Sequence, residues 1–267
     1  MHRSIQMLAS TLVVCAAWAA PAAAQGPACA ADSAVRVLAS AFSERYVLPP
    51  GAEAGARELR RWRPARGVTP AELARGLTEG LRRATGDRHV AVEWIDPSGP
   101  PAAEADWIAR WRAGAAKANH GISRVEILPG NVGYLAIRSF HTYLGAAPTI
   151  RAAMALVRHT DALVLDLRDN GGGDGETAGA VERTFLGPGQ GSALRTETRL
   201  GIDPLRQDPP PEWDRYGPER PLAILVNGRS FSAAEAISFG LASAGRAVLV
   251  GSPTAGGAHM TDAATPL

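Results

Sequence analysis

The sequence predicts an α/β protein, a parallel-sheet core preceded by a small helical domain. From Val125 onward, short apolar runs alternate with helical segments, the pattern of βαβ units and a parallel sheet. Residues 31–86 carry their apolar positions at helical spacing instead. Two of the later apolar runs end in turns rich in glycine or serine, Asp166–Gly173 and Asn227–Ser232, at the carboxyl edge where open parallel sheets place their sites.

Each element has its own reason. Val35, Leu38, Ala39 and Phe42 form one apolar helical face, and Tyr46-Val47-Leu48-Pro49-Pro50 breaks it. Ala54–Arg63 reads as a second short helix. Thr69-Pro70-Ala71-Glu72 starts a third, with Thr69 as N-cap and Leu73, Leu77 and Leu81 on one face. Asp87–Trp94 alternates like a strand, with Asp87 and His89 sharing a face at i, i+2. Ala103–Ala118 reads as a polar helix with Trp107 and Trp111 packed on a neighbour. Strands follow at Ile127-Leu128, Val132–Ile137, Ala162–Leu167, Leu222–Val226 and Ala247–Val250. Helices fall at Ala146–Arg158, Glu176–Phe185 and Ser232–Ala244, and a proline-rich connection covers Pro204–Pro221.

The chain has 267 residues and a net charge of +2, so no basic patch points to nucleic acid. Met1-His2-Arg3, an apolar run to Ala20 and small residues up to Ala24 read as an export signal at 1–24. That run is shorter than the ~20 residues of a membrane span, and no later segment is apolar enough for one. Removal of the signal takes Cys15 away, so Cys29 has no partner for an internal disulfide. The expected location is the periplasm or the medium. The expected divisions are 31–86 helical, 87–124 a strand and linking helix, and 125–267 the core. The chain stops soon after Gly256-Gly257, which reads as a core lacking its C-terminal part.

Two sites could carry chemistry. The run Asp166-Leu167-Arg168-Asp169-Asn170-Gly171-Gly172-Gly173 can aim backbone N–H groups at an oxyanion, or it can simply turn the chain. It lacks the lysine and hydroxyl residue of a phosphate loop. Ser232, three residues before Glu235, is a nucleophile candidate and equally a capping-box residue. Ser230 is a polar neighbour. The only lysine, Lys117, lies in a distant polar stretch, so a working serine needs a histidine. Among the histidines, His89 has Asp87 beside it as a possible orienting carboxylate, and His141 and His259 lie in loops that could approach a site. No spacing of His, Cys, Asp and Glu suggests a metal.

Taken in order, five segments resemble one family. They are Thr85–Val90, Glu126–Leu135, Asp166–Gly173, Ser230–Glu235 and Val250–Gly257. Together they resemble the tail-specific (C-terminal processing) serine peptidases, in the branch related to the tricorn protease core and interphotoreceptor retinoid-binding protein. The resemblance implies a ClpP/crotonase-like core behind a small helical domain, with no inserted PDZ domain. It implies hydrolysis of a peptide or protein substrate through an acyl-enzyme, without a cofactor. Ser232 matches the nucleophile and His89 the base. Gly172 and Ala233 match the oxyanion donors, with Gly171 a further candidate. Gly257 stands where the Ser/Lys branch has its lysine. Arg88 stands where the tricorn-like branch has a relaying serine, and the chain ends before that branch's glutamate. Asp87, or a region beyond Leu267, would have to replace them. The rival expectations are a non-catalytic module binding an apolar ligand or peptide, and an inactive fragment. Oligomeric state is left open.

Overall fold

The computed structural model describes residues 6–9, 13–16, 27–63, 67–94, 113–191, 194–198, 201–203, 215–257, 259–260 and 265–266. Two compact units divide the chain. One spans mainly Met7–Ala103 and the other mainly Glu104–Arg195 and Pro204–Ala258.

The first unit is built on α1 (Pro27–Arg45), α2 (Pro49–Arg61) and α3 (Pro70–Thr85). The sequence signals work as expected at α3. Thr69 accepts the Glu72 N–H, Glu72 accepts the Thr69 N–H, and Pro70 occupies the first turn. Gly86 ends the helix in the left-handed conformation at φ 72°. Leu77 and Leu81 join Phe42, Tyr46 and Leu59 in one buried cluster. The α1–α2 break falls at Tyr46, where two prolines restart the helix.

Short strands complete this unit. They are β1 (Gln6–Ala9), β2 (Val13–Ala16), β3 (Ala91–Trp94), β7 (Arg195–Thr198), β8 (Gly201–Asp203), β11 (His259–Met260) and β12 (Thr265–Pro266). β2 runs parallel to β3 with Val14 opposite Val92. The strand expected from Asp87 starts only at Ala91. The left-handed Gly86 and the Asp87 side chain, which accepts the His89 N–H at 2.9 Å, turn residues 87–90 before the strand can begin.

The second unit is a five-stranded sheet in the order β10-β9-β6-β5-β4. β4 (Ile122–Leu128) and β5 (Val132–Ile137) form an antiparallel hairpin, its turn carrying Asn131 at φ 56°. β6 (Ala162–Asp166), β9 (Leu222–Val226) and β10 (Val248–Gly251) continue the sheet in parallel. The helices are α4 (Tyr143–Val157), α5 (Gly175–Phe185) and α6 (Ala233–Ser243). α4 starts three residues earlier than expected because Thr142 takes the N-cap place, its carbonyl accepting from Gly145 and Ala146.

Leu135, Leu163, Leu165 and Ile224 of the sheet are buried against Ile150, Val181 and Ile237 of the helices. Along β6 and β9 buried positions alternate with half-buried ones, so the second face is partly covered and the strands read as continuous apolar runs. The carboxyl ends of β5, β6 and β9 share one edge, which sets the glycine turn beside Ser232. The helix expected over 103–118 and the connection expected from 204 lie largely outside the described residues; 113–117 is helical.

Candidate active site

Ser230 and Ser232 differ sharply in what they do. Ser230 is fully buried; its hydroxyl donates to the Leu167 carbonyl at 2.7 Å and accepts from the Asn227 N–H at 3.0 Å. That hydroxyl ties β9 to the turn after β6 and is spent on structure. Ser232 is half-buried and precedes the first residue of α6 with φ 54° and ψ −117°. A non-glycine residue in that region costs of order 1–3 kcal/mol and persists only where its surroundings enforce it.

Glu235 is the main enforcer. Its Oε2 accepts the Ser232 N–H at 2.8 Å and the Gly257 N–H at 2.7 Å, and its Oε1 accepts the Gly256 N–H at 2.7 Å. One carboxylate thus clamps the loop after β10 to the backbone of the serine. The sequence offered Glu235 only as half of a capping box. The binding of Gly256 and Gly257 joins residues 21 and 22 positions away, which no local pattern signals.

The glycine turn closes on the other side. Phe231 donates its N–H to the Asn170 carbonyl at 2.9 Å. Gly172, at φ 92°, lies so near that an added Cβ would stand 2.8 Å from the Phe231 carbonyl and 3.0 Å from the Ala233 nitrogen. Close approach and positive φ both demand glycine here. Ala233 is 8% exposed and its N–H lies in the first turn of α6, where helix geometry supplies no partner.

Gly172 departs from expectation in one respect. Its N–H donates to Asn170 Oδ1 at 2.8 Å, and Asn170 Nδ2 donates to the Ile137 carbonyl at 3.1 Å. The N–H expected to face an oxyanion is therefore engaged by a buried side chain. Two residues on in an Asx turn, the amide oxygen of Asn170 outcompetes solvent for it.

Gly257, where the resembling Ser/Lys enzymes carry a lysine, has no space for a side chain. A Cβ there would lie 2.2 Å from Cε2 of Phe231.

Below the turn, the Asp166 carboxylate is buried and receives Arg168 Nε at 2.9 Å, Arg138 at 3.1 Å and the Tyr134 hydroxyl at 2.5 Å. Burial alone would push its carboxyl up; these donors outweigh it and hold the group well below the usual carboxylate range. Above it, Asn227 and Arg229 both donate to Asp169 Oδ1, at 2.7 and 2.8 Å, so the two turns are cross-linked.

The same edge carries a second polar group. His141 Nε2 lies 3.0 Å from Ser139 Oγ, and the His120 ring stands edge-on at 6.3 Å. Burial, then the charge of His120, pushes the His141 imidazole down. Of the two loop histidines, His141 thus lies at the sheet edge with Ser232; the side chain of His259 is outside the described residues.

His89 and Asp87 belong to the other unit. His89 Nδ1 lies 3.3 Å from Asp87 Oδ1, with side chains 6% and 0% exposed. Asp87 Oδ2 accepts the Tyr46 hydroxyl at 3.0 Å, a partner that sequence reasoning missed because it lies 41 residues away. Among the described residues no group of three or more His, Cys, Asp and Glu could hold a metal ion.

The carboxyl edge of the sheet thus presents a strained serine opening a helix beside a glycine turn. The profile of peptidase family S41 matches residues 131–265, just over half of the chain, and the chain belongs to that family. Similar structures include a photosystem II D1 C-terminal processing protease, 23% identical over 50% of this chain and 34% of that one, with a TM-score of 0.34. A putative peptidase from Parabacteroides merdae is 20% identical over 71% of this chain and 64% of that one, with a TM-score of 0.43. The chain therefore spans about a third of the first relative and under two thirds of the second. A lipoprotein from Streptococcus agalactiae is 13% identical over 89% of this chain and 80% of that one, with a TM-score of 0.50, a likeness of fold.

Proposed function

We propose that this chain is an exported serine peptidase that cleaves peptide bonds through an acyl-enzyme on Ser232. The observation that carries the reading is the backbone of Ser232, strained at φ 54° and gripped by Glu235 on one side and the glycine turn on the other. Strain of this kind at a strand-to-helix turn presents a hydroxyl outward, as nucleophile elbows do. Membership of peptidase family S41 supports the same reading.

His89 is the base. With Nδ1–H donated to Asp87, its Nε2 is left as the acceptor, the form needed to take the serine proton. Transfer requires that nitrogen within about 3 Å of the serine oxygen in the working enzyme. The proton taken from Ser232 then passes to the leaving amine, and water reverses the sequence to release the acyl group. The Ala233 N–H and the glycine turn stabilise the oxyanion. Gly172 joins once its bond to Asn170 opens, and Gly171 is the neighbouring donor. The leader 1–24 directs export, and among the described residues no helix is long and apolar enough to cross a membrane. The core 125–267 carries Ser232 and the segments 31–86 and 87–124 carry the base and its support.

The test is acylation by a fluorophosphonate probe. Wild type is expected to label and Ser232→Ala to remain unlabelled, with Ser230→Ala losing stability rather than chemistry. Equal labelling of wild type and Ser232→Ala removes Ser232 from the mechanism.

A further inference from the structure

Tyr46 sits in the break between α1 and α2, fully buried, in a place set by two neighbours. Its ring stacks on Phe42 at 4.7 Å and 14°, and Gly51 faces it so closely that a Cβ there would lie 2.5 Å from Cε1. Held between helix residues on either side, the ring has one direction for its hydroxyl, and that direction ends on Asp87 Oδ2 at 3.0 Å. Asp87 is itself 1% exposed, and its other oxygen serves His89 twice, through the backbone N–H at 2.9 Å and Nδ1 at 3.3 Å.

We propose that Tyr46 is a positioning residue for the proton-transfer group: its hydroxyl fixes the Asp87 carboxylate so that Oδ1 faces the His89 imidazole and selects the Nδ1–H tautomer. The inference rests on the reading of His89 as the base. A carboxylate on a short side chain can turn about its last bond. With Oδ2 tied to a clamped phenol, Oδ1 has one orientation. A phenol that donates and never ionises is suited to this task; burial, then the charge of Asp87, pushes the Tyr46 hydroxyl far above its usual range. The Thr85 side chain, whose hydroxyl accepts the Asp87 N–H at 3.1 Å, is a further polar partner at that phenol. Arg82 donates from α3 to the Val90 carbonyl at 2.8 Å, and Arg88 is exposed in the turn. Arg88, not serine, immediately precedes His89, and this route to the carboxylate needs no serine there.

The role differs from simple packing, because Tyr46→Phe keeps the ring and loses only the donor. Two measurements on the full chain test it. The first is the ¹⁵N spectrum of the His89 ring in a Ser232→Ala background, with and without Tyr46→Phe. The expected result is an Nδ1–H pattern with tyrosine and a mixture of tautomers with phenylalanine. The second is fluorophosphonate acylation, expected to slow on the order of 10-fold in Tyr46→Phe while probe saturation stays unchanged.

Gly51→Ala provides a variant that keeps the hydroxyl. Alanine favours the helix, yet its Cβ pushes the ring off its place, so it is expected to slow acylation in the same way. Unchanged tautomers and unchanged acylation in Tyr46→Phe overturn the proposal. A wild type that takes no probe overturns the parent reading instead, and the spectral arm then still decides whether Tyr46 sets the imidazole.

Discussion

Gly172 lies so close to Ser232 that a Cβ on the glycine would stand 2.7 Å from the Cβ of the serine. Two loops that follow different strands thus meet with no room for a methyl group. That contact is where β6 and β9 jointly build the site.

Gly172→Ala is therefore expected to abolish most of the chemistry. The new Cβ meets Ser232, Phe231 and Ala233, and the φ of 92° is itself unfavourable for alanine. Acylation is expected to fall on the order of 100-fold or more, the scale of a lost oxyanion donor. Stability is expected to fall by about 1–3 kcal/mol for the strained backbone. Probe kinetics and thermal melting check the two parts, and full activity in the variant contradicts the site.

Glu235→Gln tests the clamp. The amide keeps one acceptor oxygen and replaces the other with a donor, so at least one of the Ser232, Gly256 and Gly257 N–H groups loses its partner. The expected cost is about 1–3 kcal/mol, with faster hydrogen exchange at Gly256 and Gly257. Acylation is expected to slow because the serine backbone is no longer held at positive φ. Exchange rates equal to wild type contradict the clamp.

Asp87→Asn preserves shape and keeps an oxygen for the His89 N–H and Nδ1, but removes the negative charge that stabilises the imidazolium formed when His89 takes the serine proton. The expected loss of acylation is on the order of 100-fold or more, with the melting temperature moving much less. A variant as fast as wild type contradicts His89 as base.

Asp166 makes stability depend on acid. Its folded-state carboxyl lies well below the unfolded value of about 4. The stability it contributes is thus complete above about pH 4 and is lost as pH falls toward its folded value. Asp166→Asn lacks this term. The gap in melting temperature between wild type and variant is expected to be wide at pH 7 and to narrow at pH 3. A gap independent of pH contradicts the Arg138–Asp166–Arg168 network.

Much of the architecture was legible in the chain because its signals are local. The capping box at Thr69, the Pro49-Pro50 restart and the buried apolar strands each depend on neighbours a few residues apart. The alternation of those strands with helices dictated a parallel sheet, and the sheet dictated the edge where Ser232 and the glycine turn meet. Asp87 and His89 misled, because alternation resembled a strand where an Asx turn won the His89 N–H.

By itself the sequence determined which residue types stand at each strand end: a serine opening a helix, a run of glycines, an aspartate two before a histidine. Folding decided their employment. It separated Ser230, a structural tie, from Ser232, a strained turn residue. It gave the Gly172 N–H to Asn170, and it brought Tyr46 onto Asp87 and Glu235 onto Gly256 and Gly257. The physical reason is the range of the forces: caps and periodicity act within a helical turn, whereas a buried polar atom takes whichever partner the packed chain delivers, however distant in sequence.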